Sequence, residues 1–405
     1  MELKKILEGY KEMMEKELEA ILSFWMNNAV DEINGGFIGQ INFANEKINN
    51  APKGSVLNAR ILWAFSAAYN LTKKKEYEIF AKRAFDYIIA HFIDKENGGV
   101  YWTVDEKGNP LDTKKQVYAL AFTIYAFSEF YKIGNNEKAL LYAIEIYDTI
   151  IKYSYDKKQL GYIEAFTSNW EPIEDLRLSS KDANEKKTMN THLHVMEAFT
   201  TLYSIAPSVD LKEKLKEIIE IFINKIVNKN TYHQHLFFDE NWQSKFNIIS
   251  YGHDIEAAWL LQEAAEMLGD ETLIFTAKKL SVQMANAAAK GLDDDGGLWY
   301  EYEPDVNFLI KEKHNWPQAE AMVGFFNAWQ NTNQAMYLQK SMDSWKFVQK
   351  HILDKKNGEW HWGVHENYTA MQQDKVGIWK CPYHNSRACI EIIKRINTFE
   401  NKTAL

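Results

Sequence analysis

The chain has 405 residues, 14% of them aromatic, and a formal net charge of -9. Nucleic acid and anionic membranes both select concentrated positive charge, so the acidic balance argues against either as a partner. Two cysteines, Cys381 and Cys389, cannot staple a chain of this size, and no apolar run has the length of a signal-peptide core or a membrane span, so a cytoplasmic protein with reduced thiols is expected.

Helical periodicity dominates, and about twelve segments satisfy it. In chain order they run 3–28, 55–71, 74–93, 113–133, 135–154, 188–205, 210–228, 253–269, 271–290, 316–332, 334–353 and 383–396. Short segments rich in glycine and aromatics recur between them: Asn34-Gly-Gly-Phe37, Asn97-Gly-Gly-Val-Tyr-Trp102, Leu160-Gly-Tyr-Ile163, His235-Leu-Phe-Phe238, Asp295-Gly-Gly-Leu-Trp299 and Asn357-Gly-Glu-Trp360. Successive copies lie roughly 60 to 75 residues apart, a fixed internal period. Alternate helices differ in character. The stretch Val56-Leu-Asn-Ala-Arg-Ile-Leu-Trp-Ala-Phe65 is apolar nearly all round, whereas Lys73-Lys-Lys-Glu-Tyr77 opens an amphipathic helix. An all-apolar helix must be buried on every side and an amphipathic one only along a stripe. Six inner and six outer helices follow, an all-α (α/α)6 barrel with short β-hairpin loops at one end. No linker or shift in composition divides the chain, so residues 1–405 are expected to form one catalytic domain, and a monomer.

In such a barrel the inner helices run in the same direction and their N-termini meet at one mouth. Unusual polar residues cluster at these starts: Asn58 and Arg60; Tyr118; Asn190, His192 and His194; His253 and Glu256; Trp316 and Glu320; His384 and Arg387. The centre of this pattern is Ser250-Tyr-Gly-His-Asp-Ile-Glu256, where Gly252 is expected to break the chain before a helix carrying His253 and Glu256 on one face, with Glu256 placed to orient His253. The long irregular stretch 167–187, with Asp175, Arg177 and Asp182, reads as a lid.

Dinucleotide, P-loop, serine-hydrolase and zincin motifs are absent. His192 and His194, two apart on a helix, point about 200° away from each other and do not share an ion, so no metal and no cofactor is expected. Two imidazoles at separate helix starts, His253 and His384, suit proton transfer near neutral pH, one as base and the other as acid. With many aromatic rings to stack on a sugar, this points to removal of a proton beside a sugar carbonyl and its return on the other face, with Arg60 stabilising the enediolate. A glycosidase carboxylate pair drawn from Glu256, Glu320, Asp182 and Glu164 is the competing reading, but it leaves both histidines without a role.

The segments Asn58-Ala-Arg-Ile-Leu-Trp63, Met189-Asn-Thr-His-Leu-His194, Ser250-Tyr-Gly-His-Asp-Ile-Glu256 and Trp379-Lys-Cys-Pro-Tyr-His-Asn385 resemble those of cellobiose 2-epimerases in the N-acylglucosamine 2-epimerase superfamily, in order along nearly the whole chain. The resemblance implies the same barrel and a cofactor-independent C2 epimerisation of the reducing-end glucose or mannose of β-1,4-linked disaccharides (cellobiose, lactose or mannobiose) through an open-chain cis-enediolate. It places the acid/base pair on His253 and His384 and the stabilising arginine on Arg60. Substrate contacts fall on Tyr118, Asp182, Asn190, His194, Glu256, Trp316, Glu320 and Trp379, with Trp316 and Trp379 stacking on the second sugar. A related N-acylglucosamine 2-epimerase or mannose-type aldose–ketose isomerase is the nearest alternative, and a non-catalytic sugar-binding protein the most remote.

Overall fold

Burial separates two kinds of helix in the computed structural model, which describes residues 2–403. Val117–Tyr131 buries fourteen residues in succession, from Val117 to Phe130, and has no face to show to water. Glu137–Tyr153 buries only Ala139, Ala143, Ile146, Tyr147 and Ile150, a stripe at helical spacing. The same contrast runs through the described residues, which form twelve α-helices. The inner six are α2 (Ser55–Thr72), α4 (Val117–Tyr131), α6 (Met189–Ile205), α8 (Tyr251–Leu268), α10 (Asn315–Thr332) and α12 (Tyr383–Thr403). Each packs on the next, and α12 packs on α2, which closes the ring. Outside lie α1 (Glu2–Asn28), α3 (Lys75–Tyr87), α5 (Glu137–Tyr153), α7 (Val209–Ile221), α9 (Glu271–Ala288) and α11 (Ala335–Phe347). Each outer helix packs on the inner helix before it in the chain, except α1, which packs on α12 and joins the two ends of the chain. The (α/α)6 barrel read from the sequence is the fold observed. None of the described helices is long and apolar enough to cross a membrane.

With the terminal turns counted in, two element boundaries differ from the sequence reading by four residues or more. Lys115 and Gln116 pair as a short strand with Ala165 and Phe166, so α4 starts at Val117 and not at 113. Helix α12 runs on to Thr403, because its later turns keep an apolar stripe (Ile390, Ile393, Ile396) for α1 to cover. Three outer helices, α3, α7 and α11, end in a wider turn with i→i+5 hydrogen bonds, seen at Ile93→Ile88, Val227→Phe222 and Leu353→Val348.

After each outer helix the chain makes a tight loop closed by a single antiparallel bridge: Val30 with Phe37, Ile93 with Val100, Tyr155 with Tyr162, Val227 with Gln234, Leu292 with Leu298, and Leu353 with Trp360. A buried lysine ties most of these loops down. Lys53 Nζ lies 2.7 Å from Asp31, Lys115 2.6 Å from Asp94, Lys187 2.9 Å from Asp156 and Lys313 2.7 Å from Asp293, and Lys375 pairs with Asp354. Desolvation lowers the pKa of the Lys115 ammonium even with Asp94 beside it, so each pair stands only because both partners are present. The fourth copy breaks the pattern on both sides at once: Asn228 and Ile249 replace the aspartate and the lysine, and Asp254 instead binds His233 Nδ1 at 2.6 Å. That copy leads into α8, the helix that carries His253.

Candidate active site

The six inner helices bring their starts to one mouth, and residues there fall into levels set by helix geometry. The second, sixth and ninth residues of an inner helix are spaced 4 and 3 apart and share one face. On α2, α4, α6, α8 and α10 the sixth residues are Arg60, Phe122, His194, Glu256 and Glu320, and on α4, α6 and α10 the second residues are Tyr118, Asn190 and Trp316. The rings make the convergence concrete. The guanidinium of Arg60 lies 4.1 Å from the centre of Phe122, Phe122 lies 4.5 Å from His194, and His194 stands edge-on to Tyr118 at 5.0 Å.

The fourth residue of these helices faces the other way and has a structural task. His192 Nε2 accepts the Tyr162 N–H at 2.9 Å, Asp254 accepts the Gln234 N–H at 2.8 Å, and Gln318 accepts the Leu298 N–H at 2.7 Å. All three acceptors bind the bridge residue of the preceding loop. His192 is therefore a loop anchor, and burial takes its pKa down to about 3. His233 holds Asp254, while His235 contacts Ser244 and Asn228, so neither histidine of that pair points to an ion.

His253 and His384 both pack on one indole: their rings lie 4.7 and 5.6 Å from that of Trp316. Gly252 makes room for it. A Cβ at 252 would lie 2.6 Å from Trp316 Cη2. The expectation that Gly252 breaks the chain is corrected here: it sits inside the first turn of α8, after Ser250, and what it supplies is space for the indole. Nor does Glu256 orient His253. The Nδ1 of His253 lies 2.8 Å from Ser250 Oγ, and Glu256 faces the barrel interior toward Arg387.

Arg387 organises the floor. Its guanidinium donates to Glu197, to Glu256 and, at 2.7 Å, to Glu320, and it lies 5.0 Å over the ring of Trp259. Two of these carboxylates each hold a histidine by Nδ1: Glu320 binds His384 at 2.7 Å, and Glu197 binds His194 at 2.9 Å. Although burial works against it, Arg387 and the hydrogen-bond donors around Glu197 hold that carboxyl down at about 2. Burial and the neighbouring Glu320 charge push Glu256 up to about 8, and burial raises Glu320 as well, so the two carboxyls titrate as a pair. Burial depresses all three imidazoles: His253 falls to about 3, His194 to about 4, and His384 well below its usual range. At neutral pH each is uncharged, the form that accepts a proton.

The spacing of Glu256, Glu320 and His384, with ligand atoms within 4.8 Å of one another, would admit a cation. Both Glu256 Oε1 and Glu320 Oε1 already accept from Arg387 Nη2, so a fixed positive charge holds the bridging position. The same ties bury these two carboxylates and hold both on Arg387, which leaves neither free as the acid or base of a glycosidase pair.

Arg60 has different company. Its Nη2 donates to the Tyr118 hydroxyl at 2.7 Å, its plane faces Phe122 and Tyr383, and its Nε is buried without a partner. Among the described residues no carboxylate lies within ion-pair distance of it. Trp379 stands 5.9 Å from Tyr118 and 5.8 Å from Trp102. Asn190 is half-buried with its Oδ1 unpartnered, and Asp182 stays on the 167–187 loop, where Ser179 caps it through N–H and Oγ.

Four participants were not read from the sequence: Glu197, Tyr383, Ser250 and Trp102. A signal existed for Glu197, which follows His194 by three residues, the same spacing that drew attention to Glu256. Tyr383 accepts from Arg387 and donates to Glu197 across the barrel, a contact between residues 186 positions apart that no local pattern encodes.

The family model of N-acylglucosamine 2-epimerase (GlcNAc 2-epimerase) matches residues 36–388. A cellobiose 2-epimerase of Bacteroides fragilis is 47% identical over 385 residues, covering 95% of this chain and 98% of the relative, and one of Dictyoglomus turgidum is 38% identical with the same coverage. The structure of cellobiose 2-epimerase from Bacillus thermoamylovorans superposes with a TM-score of 0.91 at 36% identity, covering 96% of this chain and 100% of that one. With the match spanning the barrel that carries both histidines, the chain belongs to the N-acylglucosamine 2-epimerase family and is a carbohydrate epimerase.

Proposed function

We propose that the protein inverts C2 of the reducing-end glucose or mannose of β-1,4-linked disaccharides such as cellobiose, lactose and mannobiose, with the barrel acting as one catalytic domain and without a cofactor. The observation that carries this reading is the joint packing of two imidazoles, from α8 and α12, on Trp316. The names of the relatives, at 47% and 38% identity over nearly the whole chain, support the substrate class.

Each histidine is held by Nδ1, His253 by Ser250 and His384 by Glu320, which leaves Nε2 free on both. After the pyranose opens, one Nε2 removes the C2 proton, and the electron pair moves into the C1–C2 bond to give a cis-enediolate with its negative charge on O1. Arg60, with no carboxylate to neutralise it, supplies the compensating charge. Rotation of the enediolate presents its other face; the second imidazole takes a proton from solvent on Nε2 and delivers it to C2 there, while the first releases the proton it removed to solvent, so that both end the cycle uncharged. Glu320 stabilises the imidazolium of His384 whenever that ring holds the proton. The buried, unpartnered Arg60 Nε and Asn190 Oδ1 are groups that sugar hydroxyls would satisfy. Trp316 is packed on the histidines and so stacks on the reacting sugar, which leaves Trp379, with Trp102 behind it, for the second.

Proton NMR of cellobiose, lactose and mannobiose with EDTA-treated protein in D2O tests this. The C2 epimer with deuterium at C2 is expected, and His253→Ala and His384→Ala should each abolish it while far-UV circular dichroism is retained. Exchange in free mannose or N-acetylmannosamine but in no disaccharide would overturn the substrate class. Near-normal epimerisation by either variant would overturn the two-histidine assignment.

A further inference from the structure

The sixth entry to the barrel departs from the others. Lys53, Lys115, Lys187 and Lys313 each stand two residues before the inner helix that follows, whereas α12 starts at Tyr383, eight residues after Lys375. The added stretch carries part of the mouth. Trp379 stands beside Tyr118, Cys381 Sγ lies 3.8 Å from Arg60 Nη1, and the next residues are Tyr383 and His384. The pair of Lys375 with Asp354 ties down only the near end of this stretch, so the far end needs a tie of its own.

Glu359 supplies it. In three sibling loops the residue before the bridge is a glycine in the left-handed region, Gly36 at φ 62°, Gly99 at 71° and Gly161 at 80°. In the sixth loop that residue is Glu359, at φ 64°. This region strains an L-residue that has a Cβ and leaves glycine unstrained. Such strain persists only where surrounding contacts over-determine it, and here the contacts are those of the carboxylate. Glu359 is 4% exposed. Its Oε1 accepts from Lys380 Nζ at 2.5 Å and from Asn385 Nδ2 at 2.8 Å, and its Oε2 accepts from Trp25 Nε1 of α1 at 3.2 Å. Lys380 and Asn385 are buried as well, and the adjoining Trp360 donates to Glu17 of α1 at 2.7 Å. One carboxylate, backed by α1, therefore grips the chain just after Trp379 and again just after His384.

We propose that Glu359 is a positioning residue for His384. It acts through Asn385 and Lys380, and it fixes where the first turn of α12 stands, while Glu320 fixes the rotation of the imidazole through Nδ1. Proton transfer is sensitive to such placement: a shift of about 1 Å in a reacting group costs about 100-fold in rate. The inference rests on the two-histidine reading above and adds to it the group that holds one histidine at its working distance.

The test follows C2 deuterium wash-in from D2O, starting separately from cellobiose and from its C2 epimer at saturating concentration, in wild type, Glu359→Gln, Glu359→Gly and His384→Ala. Glutamine keeps the size of the side chain, and glycine restores the residue of the sibling loops and relieves the left-handed backbone, which protects folding. Net epimerisation is expected to fall about 10- to 100-fold in both Glu359 variants. The epimer whose proton His253 takes should still gain deuterium with retained configuration at close to the wild-type rate, since His253 can return a solvent proton to the same face. The other epimer should lose exchange together with epimerisation, the asymmetry also expected of His384→Ala. A merely structural role lowers the folded fraction and moves every rate together, so an equal fall for both epimers, or failure of both Glu359 variants to fold, would overturn the inference. Wild-type rates in both variants would overturn it too, with the epimerase reading intact. Near-normal epimerisation by His384→Ala would defeat the two-histidine reading and this inference with it.

Discussion

Replacing Arg387 with methionine removes the cation that Glu197, Glu256 and Glu320 share. Three carboxylates lose a partner: Glu197, Glu256 and Glu320, each 4 % exposed or less. Breaking a buried ion pair from one side costs about 3–5 kcal/mol, and three carboxylates sharing one cation place this case at the upper end. Part of the loss is recovered by protonation, which gives a signature in pH. In the wild type Glu197 sits at about 2, depressed below its unfolded value near 4.5, so its contribution is complete above pH 4.5 and is lost only as pH falls toward 2. In the variant the same carboxyl rises above its unfolded value, the folded state binds the extra proton, and stability is present below pH 4.5 and is lost as pH rises through the new folded pKa. The measurement is urea unfolding from pH 5 to pH 8 alongside kcat on cellobiose. Arg387→Met should be destabilised by about 3–5 kcal/mol at pH 8 and by visibly less at pH 5, a slope added to the one the wild type already has from its other raised carboxyls. Turnover should fall at least about 100-fold, because Glu320 no longer holds His384 as a carboxylate. A loss under about 1 kcal/mol with no added pH slope would refute the view that Arg387 sets the charge state of the floor.

Gly252→Ala places a methyl group 2.6 Å from the Trp316 indole, so the indole must move off both histidines. A cost of about 1–3 kcal/mol in thermal unfolding and a clear fall in kcat are expected, and a variant with wild-type kcat would show that Trp316 does not set the spacing of the histidines. Arg60→Met keeps the packing on Phe122 and Tyr383 and removes only the charge. If the guanidinium stabilises the enediolate, kcat drops about 100- to 1,000-fold with little change in circular dichroism; a drop confined to KM would assign it to ground-state binding.

Much of the barrel is legible in one dimension because its determinants are local. Whether a helix is apolar all round, like Val117–Tyr131, or striped, like Glu137–Tyr153, is a property of its own residues, and that alone sorts inner from outer. The recurring glycine and aromatic loops mark the period, and the polar residues at helix starts mark the mouth, so His253, His384, Arg60 and Trp316 could be named before any coordinates. Which partner each side chain takes was decided by the closed ring. His253 and Glu256 share a helical face, yet closure turns Glu256 toward Arg387 from α12 and leaves His253 to Ser250, while His384 finds Glu320 from α10. His192 and His194 look alike in sequence, and only the loop of Tyr162 above one and Glu197 below the other give them different work. Gly252, a break by its composition, is in place an absence that a tryptophan fills. Periodicity and burial preference act within a helix and can be read from it; charge pairing and ring packing act between residues 60 to 190 positions apart, and exist only once six helices have been brought to one axis.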